Sequence, residues 1–335
     1  MSVPRPDNTE RGAALITVLV MLAMMALLAA LIVDAAAVGA RRAANQNQMA
    51  QTRWYMLGAE AFAIGRLEAM RGSRDEPQPP GATWQGLPNT FPLDDGAMTV
   101  TLWDGGNCFN LNAVYSRRDE ARRGEEDDVN GRVQFERLLE LLNLSSEASV
   151  LVPSLRDWID TDLSPTSGGA EDAAYARGDT PYLTGNTRLA DTSELRHVRG
   201  FTPEVIERLA PYVCVRSGAR ALQLNPNNLT VEQAPLLAAA LGPDVSLSTA
   251  RNIIARRPPL GWRELDDFFN DPRFLGASID RTARRQFSLR TDQFVMGVRV
   301  AHRDVVESGA ALIEMRGRAR VVRRVFGAGA ERRIL

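Results

Sequence analysis

Hydrophobic and polar positions fall into three regimes along the chain. The first is an unbroken apolar run, Ala13 to Val33, of 21 uncharged residues with Thr17 as its polar member. A helix needs about 20 apolar residues to cross a bilayer. A secretory signal peptide has a shorter core, about 7–15 residues, followed by a small-residue cleavage site. AAAVGA at 35–40 supplies small residues, but the run is too long and Asp34 stands in between. Arg5 and Arg11 precede the run and Arg41 and Arg42 follow it, so the positive-inside rule assigns no orientation. The second regime begins at Val38. No proline occurs from there to Met70, and Met49, Leu57, Ala61, Ile64 and Leu67 recur at helical spacing until Gly72, Ser73 and Pro77 stop the pattern. One helix is therefore predicted from about Ala13 to about Arg71. At 1.5 Å per residue it is about 85 Å long, well beyond what a membrane requires.

The third regime alternates. MTVTLW (98–103), QFVMGVRVAHR (293–303), GAALIEMRG (309–317) and RARVVRRVF (318–326) have the period of strands with one buried face. Arg318, Arg320, Arg323 and Arg324 are expected on the solvated face. Between the strand groups, from about 116 to 290, the periodicity is helical. FERLLELLNL (135–144), TVEQAPLLAAALG (230–242) and SLSTARNIIARR (246–257) are examples. FTPEVIERLAPYV (201–213) adds Thr202 as a cap and Pro203 at the first helical position. The fold class that follows is α+β: a long N-terminal helix packed on an antiparallel sheet, with a large α-helical domain inserted in the sheet.

The formal charge of −1 gives no global attraction to nucleic acid or anionic lipid. All 40 basic residues are arginine, so a single arginine is not by itself a recognition element. Cys108 and Cys214 form no CxxC. If the chain beyond the apolar run is exported, a disulfide between them is expected, worth about 3–5 kcal/mol by loop closure. The histidines, His197 and His302, offer no nucleophile–base pair, and HExxH, GxSxG and P-loop patterns are absent, so an enzyme reading is rejected. The best chemical site is DTDLSPTSGGAE, 160–171. Asp160, Asp162, Ser164 and Glu171 have the spacing of EF-hand ligands. Pro165, with its fixed φ, replaces the glycine that such a loop requires. An EF-hand is excluded, but clustered carboxylates beside glycine carbonyls still suit a hard cation. A second acidic run, EEDDVNG (125–131), reads as a flexible loop.

A short polar leader ending in Gly12, then an apolar run and an amphipathic extension, resembles the N-terminus of type IV pilins and pseudopilins. The resemblance implies that a prepilin peptidase cuts between Gly12 and Ala13 and methylates the new N-terminus. It puts Thr17 at the fifth mature position, where most members carry Glu. The chain's length, the missing Glu and the segments FNLNAVY (109–115), WIDTD (158–162), GGAEDAAY (168–175) and SELRHVRGF (193–201) are similar to the minor pseudopilin K branch of type II secretion. Glu at that position is costly in an apolar phase unless paired, so a tip subunit with no neighbour above loses nothing by Thr. The organisation implied is a leader at 1–12, a transmembrane and amphipathic helix at 13–71, a pilin-like α/β part at 72–115, the insert at 116–290 and further pilin-like strands at 291–335. The resemblance also implies structural calcium in the insert, with Asp160, Asp162, Glu171, Asp172 and Asp179 as expected ligands. Other minor pseudopilins, the major pseudopilin, the peptidase and the inner membrane are the expected partners, with the bulk of the chain in the periplasm. The rival is a membrane-anchored helix-hairpin-helix protein that binds nucleic acid, suggested by 197–209, 247–254 and 261–269. Asp191, Glu194, Glu204, Glu207, Asp266 and Asp267 would repel a phosphate backbone there, so no nucleic-acid partner is expected.

Overall fold

The computed structural model describes residues 8–71, 78–115, 131–177, 180–216 and 221–334. Helix α1 runs without interruption from Asn8 to Met70. The chain divides into two compact units, one ending at Tyr55 and one comprising Met56–Leu335. The described part of the first unit is α1 alone. Its side chains from Ala13 to Ile32 are exposed, and the helix is long and apolar enough to cross a membrane. The Thr17 hydroxyl donates to the Ala14 carbonyl at 2.9 Å, so its polar group is satisfied within the helix, as an apolar phase requires.

The second unit is built on a sheet. In chain order its strands are β1 (Asn89–Leu93), β2 (Gly96–Asp104), β3 (Phe109–Asn110), β4 (Val213–Cys214), β5 (Gln293–His302), β6 (Val305–Arg316) and β7 (Arg318–Phe326). Five of them form an antiparallel sheet in the order β1-β2-β5-β6-β7, while β3 and β4 make a separate parallel pair. Strand alternation puts Met98, Val100 and Leu102 of β2, Phe294, Met296, Val298 and Val300 of β5, and Ala311 and Ile313 of β6 on one buried face, while on the opposite face Val295 and Ala310 are covered by Ala330 and Ile334. Met56, Ala59, Ala63 and Leu67, at helical spacing on α1, are buried as well. Phe62 meets Phe91 edge-on at 4.8 Å between ring centres. Arg324 grips the buried Glu60 with two hydrogen bonds of 2.6 and 2.8 Å.

That last contact corrects the expected placement of the arginines. The β6–β7 register shifts between Leu312 and Ile313, which leaves Val322 unpaired as a bulge. The bulge carries Arg324 to the face of Ala311 and Ile313, opposite Arg318, Arg320 and Arg323. Arg324 turns to α1, and Arg323 pairs with Asp191 of the insert. Only Arg318 and Arg320 fit the solvated row. The sequence also missed β1, whose Pro92 is tolerated because the strand lies at the sheet edge.

The insert occupies everything between β2 and β5. Its helices are α2 (Gly131–Leu141), α3 (Ser145–Ile159), α4 (Asp172–Tyr175), α5 (Pro203–Leu209), α6 (Ala234–Leu241), α7 (Leu247–Ala255), α8 (Leu265–Phe269) and α9 (Arg281–Arg284), and a last turn, α10 (Ala330–Arg333), follows the sheet. Thr202 caps α5 with Pro203 behind it, and Ser246 caps α7. The insert has its own core, in which Phe109, Leu111 and Val114 join Phe135, Leu155, Leu237 and Phe268. Residues 109–115, grouped above with the sheet, therefore pack in the insert. Cys108 and Cys214 are joined by a disulfide, with Cα atoms 5.8 Å apart and 106 residues between them in sequence. It fastens the short β3–β4 pair at the base of this core. Of the acidic run at 125–131, only Gly131 lies within the described residues.

Candidate metal centre

Helix α3 supplies the foundation. Its sequence, SSEASVLVPSLRDWI, buries Leu151, Val152, Leu155 and Trp158, and carries Asp157 in its last turn with Asp160 immediately after it. Pro153 within the helix donates no hydrogen bond, which frees the Ser149 carbonyl. The Gly168–Gly169 pair lies along this stretch. A Cβ at Gly168 would collide with the Ser149 carbonyl, and one at Gly169 with the Asp157 carboxylate. Gly168 has φ of +86°, the left-handed region that glycine enters without cost. These two glycines bring the loop close enough to place Glu171 over the end of α3.

One carboxylate oxygen from each of Asp157, Asp160 and Glu171 can be chosen so that all three lie within 4.8 Å of one another, and all three residues are buried. Asp157 accepts hydrogen bonds from the Thr166 amide at 3.2 and 3.0 Å. Asp160 Oδ1 and Glu171 Oε1 are buried and have no hydrogen-bond partner. Arg156 reaches only to 3.9 Å from Asp160. Burial first, and then the charges of Asp162 and Asp157, push the Asp160 carboxyl up to about 6. Burial, with Asp157 and Asp160 next, pushes Glu171 up to about 7. Asp157 is raised by burial in the same way. Three close carboxylates with two unpartnered oxygens fit a hard cation with oxygen ligands. Buried polar atoms without partners are otherwise costly.

The expected ligands separate into groups. Asp160 and Glu171 come together. Asp162 is exposed and accepts from the Ser164 amide at 2.8 Å, although its charge still reaches Asp160. Asp172 accepts from the Thr184 amide and hydroxyl at 2.8 and 2.5 Å, and these bonds hold its pKa below the ordinary value. Asp179 lies outside the described residues. Asp157 was missed: it precedes the loop by one helical turn, and an i,i+3 pair with Asp160 on a helix that ends there was the available clue. Next to Asp157, Trp158 meets Tyr175 edge-on at 5.4 Å, and Tyr182 stacks on Tyr175 at 5.3 Å. The loop from 160 to 186 is thus held at one end by aromatic packing and at the other by the carboxylates. His197 packs against Tyr182 and His302 ends β5, so neither histidine belongs to the acidic cluster.

This architecture matches two family models, both described as type II secretion system (T2SS), protein K, over residues 107–218 and 224–290. A type II secretion system protein K from Klebsiella pneumoniae is 34% identical over 328 residues, covering 96% of this chain and 98% of that protein. The chain belongs to the type II secretion system protein K family. The namesake from Pectobacterium carotovorum is 33% identical over 96% of the chain and 97% of its own length. A solved protein K chain, from the GspK-GspI-GspJ complex of the enterotoxigenic Escherichia coli type 2 secretion system, superposes with a TM-score of 0.72 at 28% identity. It is covered completely by 86% of this chain. Membership in the protein K family makes this chain a minor pseudopilin of type II secretion. Its α+β fold, with a long N-terminal helix, an antiparallel sheet and added helices, is that of the solved relative.

Proposed function

We propose that the chain sits at the tip of the type II secretion pseudopilus, where it starts or caps the fibre for export of folded proteins across the outer membrane. The observation that supports this is the position of the insert. A pilin-like body carries a whole second core between two adjacent strands, and such bulk would stop another subunit from stacking above it. Thr17 agrees, because a subunit with no neighbour above needs no buried carboxylate at that point. In this reading the helix holds the unassembled chain in the inner membrane, the prepilin peptidase releases the leader after Gly12, and the remainder lies in the periplasm. The solved relative was crystallised with two other components, which supports other minor pseudopilins as partners here, with the major pseudopilin below them. Calcium would be held by Asp157, Asp160 and Glu171, with Asp162 beside them. Its part is to fasten the 160–186 loop to α3. No catalytic step is assigned. The nucleic-acid alternative has less support, since α8 begins with Asp266 and Asp267 and α5 with Glu204.

The test is co-expression of the full chain with the other minor pseudopilins of its system and the prepilin peptidase. A mature N-terminus at Ala13 and a co-purifying minor-pseudopilin complex are expected. An unprocessed N-terminus, or a chain that purifies alone, overturns the reading.

A further inference from the structure

Strands β2 and β5 are register partners, with Asp104 opposite Phe294. The chain therefore leaves the sheet for the insert and returns from it at adjacent points, and the Gly105 amide donates to the Gln293 carbonyl at 2.9 Å. A neck of two neighbouring crossings would ordinarily allow the insert to swing. This neck is instead filled by a buried polar cluster centred on one carboxylate. Asp104 is buried. Its Oδ1 accepts from the Gly106 amide at 2.6 Å, and its Oδ2 accepts from Asn228 Nδ2 at 2.7 Å and from the Thr291 hydroxyl. Asn225 Nδ2 donates to the same hydroxyl at 3.1 Å. Asn225 also exchanges two bonds with Asn107, amide to Oδ1 at 2.7 Å and Nδ2 to carbonyl at 3.3 Å. Gln78 closes the ring by pairing with the Thr291 backbone in both directions, at 3.0 and 2.7 Å.

We propose that Asp104 is the pin of a buried polar joint that makes the insert and the sheet one rigid body. Four stretches of chain meet at it: 78–85 after α1, 104–107 at the exit, 225–228 from the middle of the insert and 288–293 at the return. Only a carboxylate presents acceptors on both atoms, so it can take donors from three of these stretches at once. Both oxygens of Asp104 are satisfied, while Asn228 Oδ1 is buried without a hydrogen-bond partner; a buried network anchored on a satisfied carboxylate favours a single geometry. A second bridge between the two parts, among the described residues, is of a different character. Asp191 and Arg323 pair across a cleft of about 450 Å³, with side chains 28% and 31% exposed. That pair joins two side chains at one point, whereas the neck network joins four stretches of chain. Rigidity resides at the neck, and a load applied to the insert passes to the sheet and the helix that packs on it. This mechanical role does not rest on the tip assignment. Its failure would leave partner binding untouched.

The test is a spin-label distance measurement on the full chain in detergent, with labels on R299C, at the exposed position of β5, and L260C in the insert. The parent should show one narrow distance peak. D104N keeps the shape but turns one acceptor into a donor facing donors, and its peak should become broad or split while near-UV circular dichroism and the Cys108–Cys214 bond persist. R323A should leave the peak narrow. A folded D104N with the parental peak overturns the proposal, as does broadening by R323A alone. If D104N does not fold, T291V, which removes the hydroxyl that donates to Asp104 and accepts from Asn225 and Asn228 but leaves the carboxylate in place, decides by the same criterion.

Discussion

A carboxylate at the C-terminal end of a helix faces the negative end of the helix dipole, and α3 ends on Asp157 and Asp160 with Glu171 folded over them. Burial first, and then repulsion between neighbouring carboxylates, raises two of the carboxyls to about 6 and about 7. The sign of the resulting pH dependence follows by linkage. These groups bind protons more tightly folded than unfolded. Their relative stabilisation is complete near pH 4 and is lost as pH climbs through 6 and 7. In chelator the chain is therefore expected to melt at a lower temperature at pH 8 than at pH 5. Added calcium should raise the melt at pH 8 and do little at pH 5. Asp172, with its lowered pKa, works in the opposite sense but only around pH 4 and below. A melting temperature that rises from pH 5 to 8 in chelator, or is indifferent to calcium at pH 8, removes the metal assignment. Two of the three cluster residues were legible because Asp160 and Glu171 lie in one acidic, glycine-rich stretch. Asp157 was not, because a helix and a loop each supply part of the site and the join is tertiary. Asp172 was misleading for a similar reason, since its partner Thr184 lies across the loop.

Helix α1 must hold to the sheet through a narrow stripe of small and medium side chains, Met56, Ala59, Ala63 and Leu67. The Glu60–Arg324 pair lies on that stripe. Glu60 is nearly covered while Arg324 remains half-exposed. Removing the arginine strands a buried carboxylate, and R324A is expected to lose about 2 kcal/mol in urea unfolding. R324K should recover part of this, because an ammonium can pair without the two-pronged geometry. No loss in R324A would show that the pair is incidental. The helix itself was readable because its periodicity runs for many turns without proline. The long strands were readable because apolar residues recur along them at alternate positions, although β5 is buried on both faces over much of its length. Elements interrupted by proline were not. Pro92 masked β1, and Pro153 masked α3, the element that carries the carboxylate cluster. The bulge at Val322 was also invisible, so arginines that alternate in sequence were assigned to one face although the structure divides them.

Because Asp104 and Phe294 are neighbours across β2 and β5, the insert can in principle be removed without disturbing the sheet. Replacing residues 105–293 by a tight two-residue turn would join Asp104 to Phe294 in their existing antiparallel register, a connection that hairpins favour. What remains is the long helix and the five-stranded sheet, with the buried face that packs on α1 intact. Asp104 would then sit near solvent at a strand end, so losing the joint no longer strands a charge. If the insert is what prevents further stacking, the truncated chain carrying T17E should enter the shaft of the pseudopilus, since it regains the acidic residue and loses the obstruction. T17E in the intact chain should not, because the bulk remains. Immunogold labelling of overproduced pseudopili distinguishes the two: label along the length for the truncated T17E chain, and at one end or absent for the intact one. Shaft labelling by intact T17E would mean that Thr17, rather than the insert, keeps the protein at the tip. Exclusion of the truncated chain, despite a folded sheet, would mean that neither feature does.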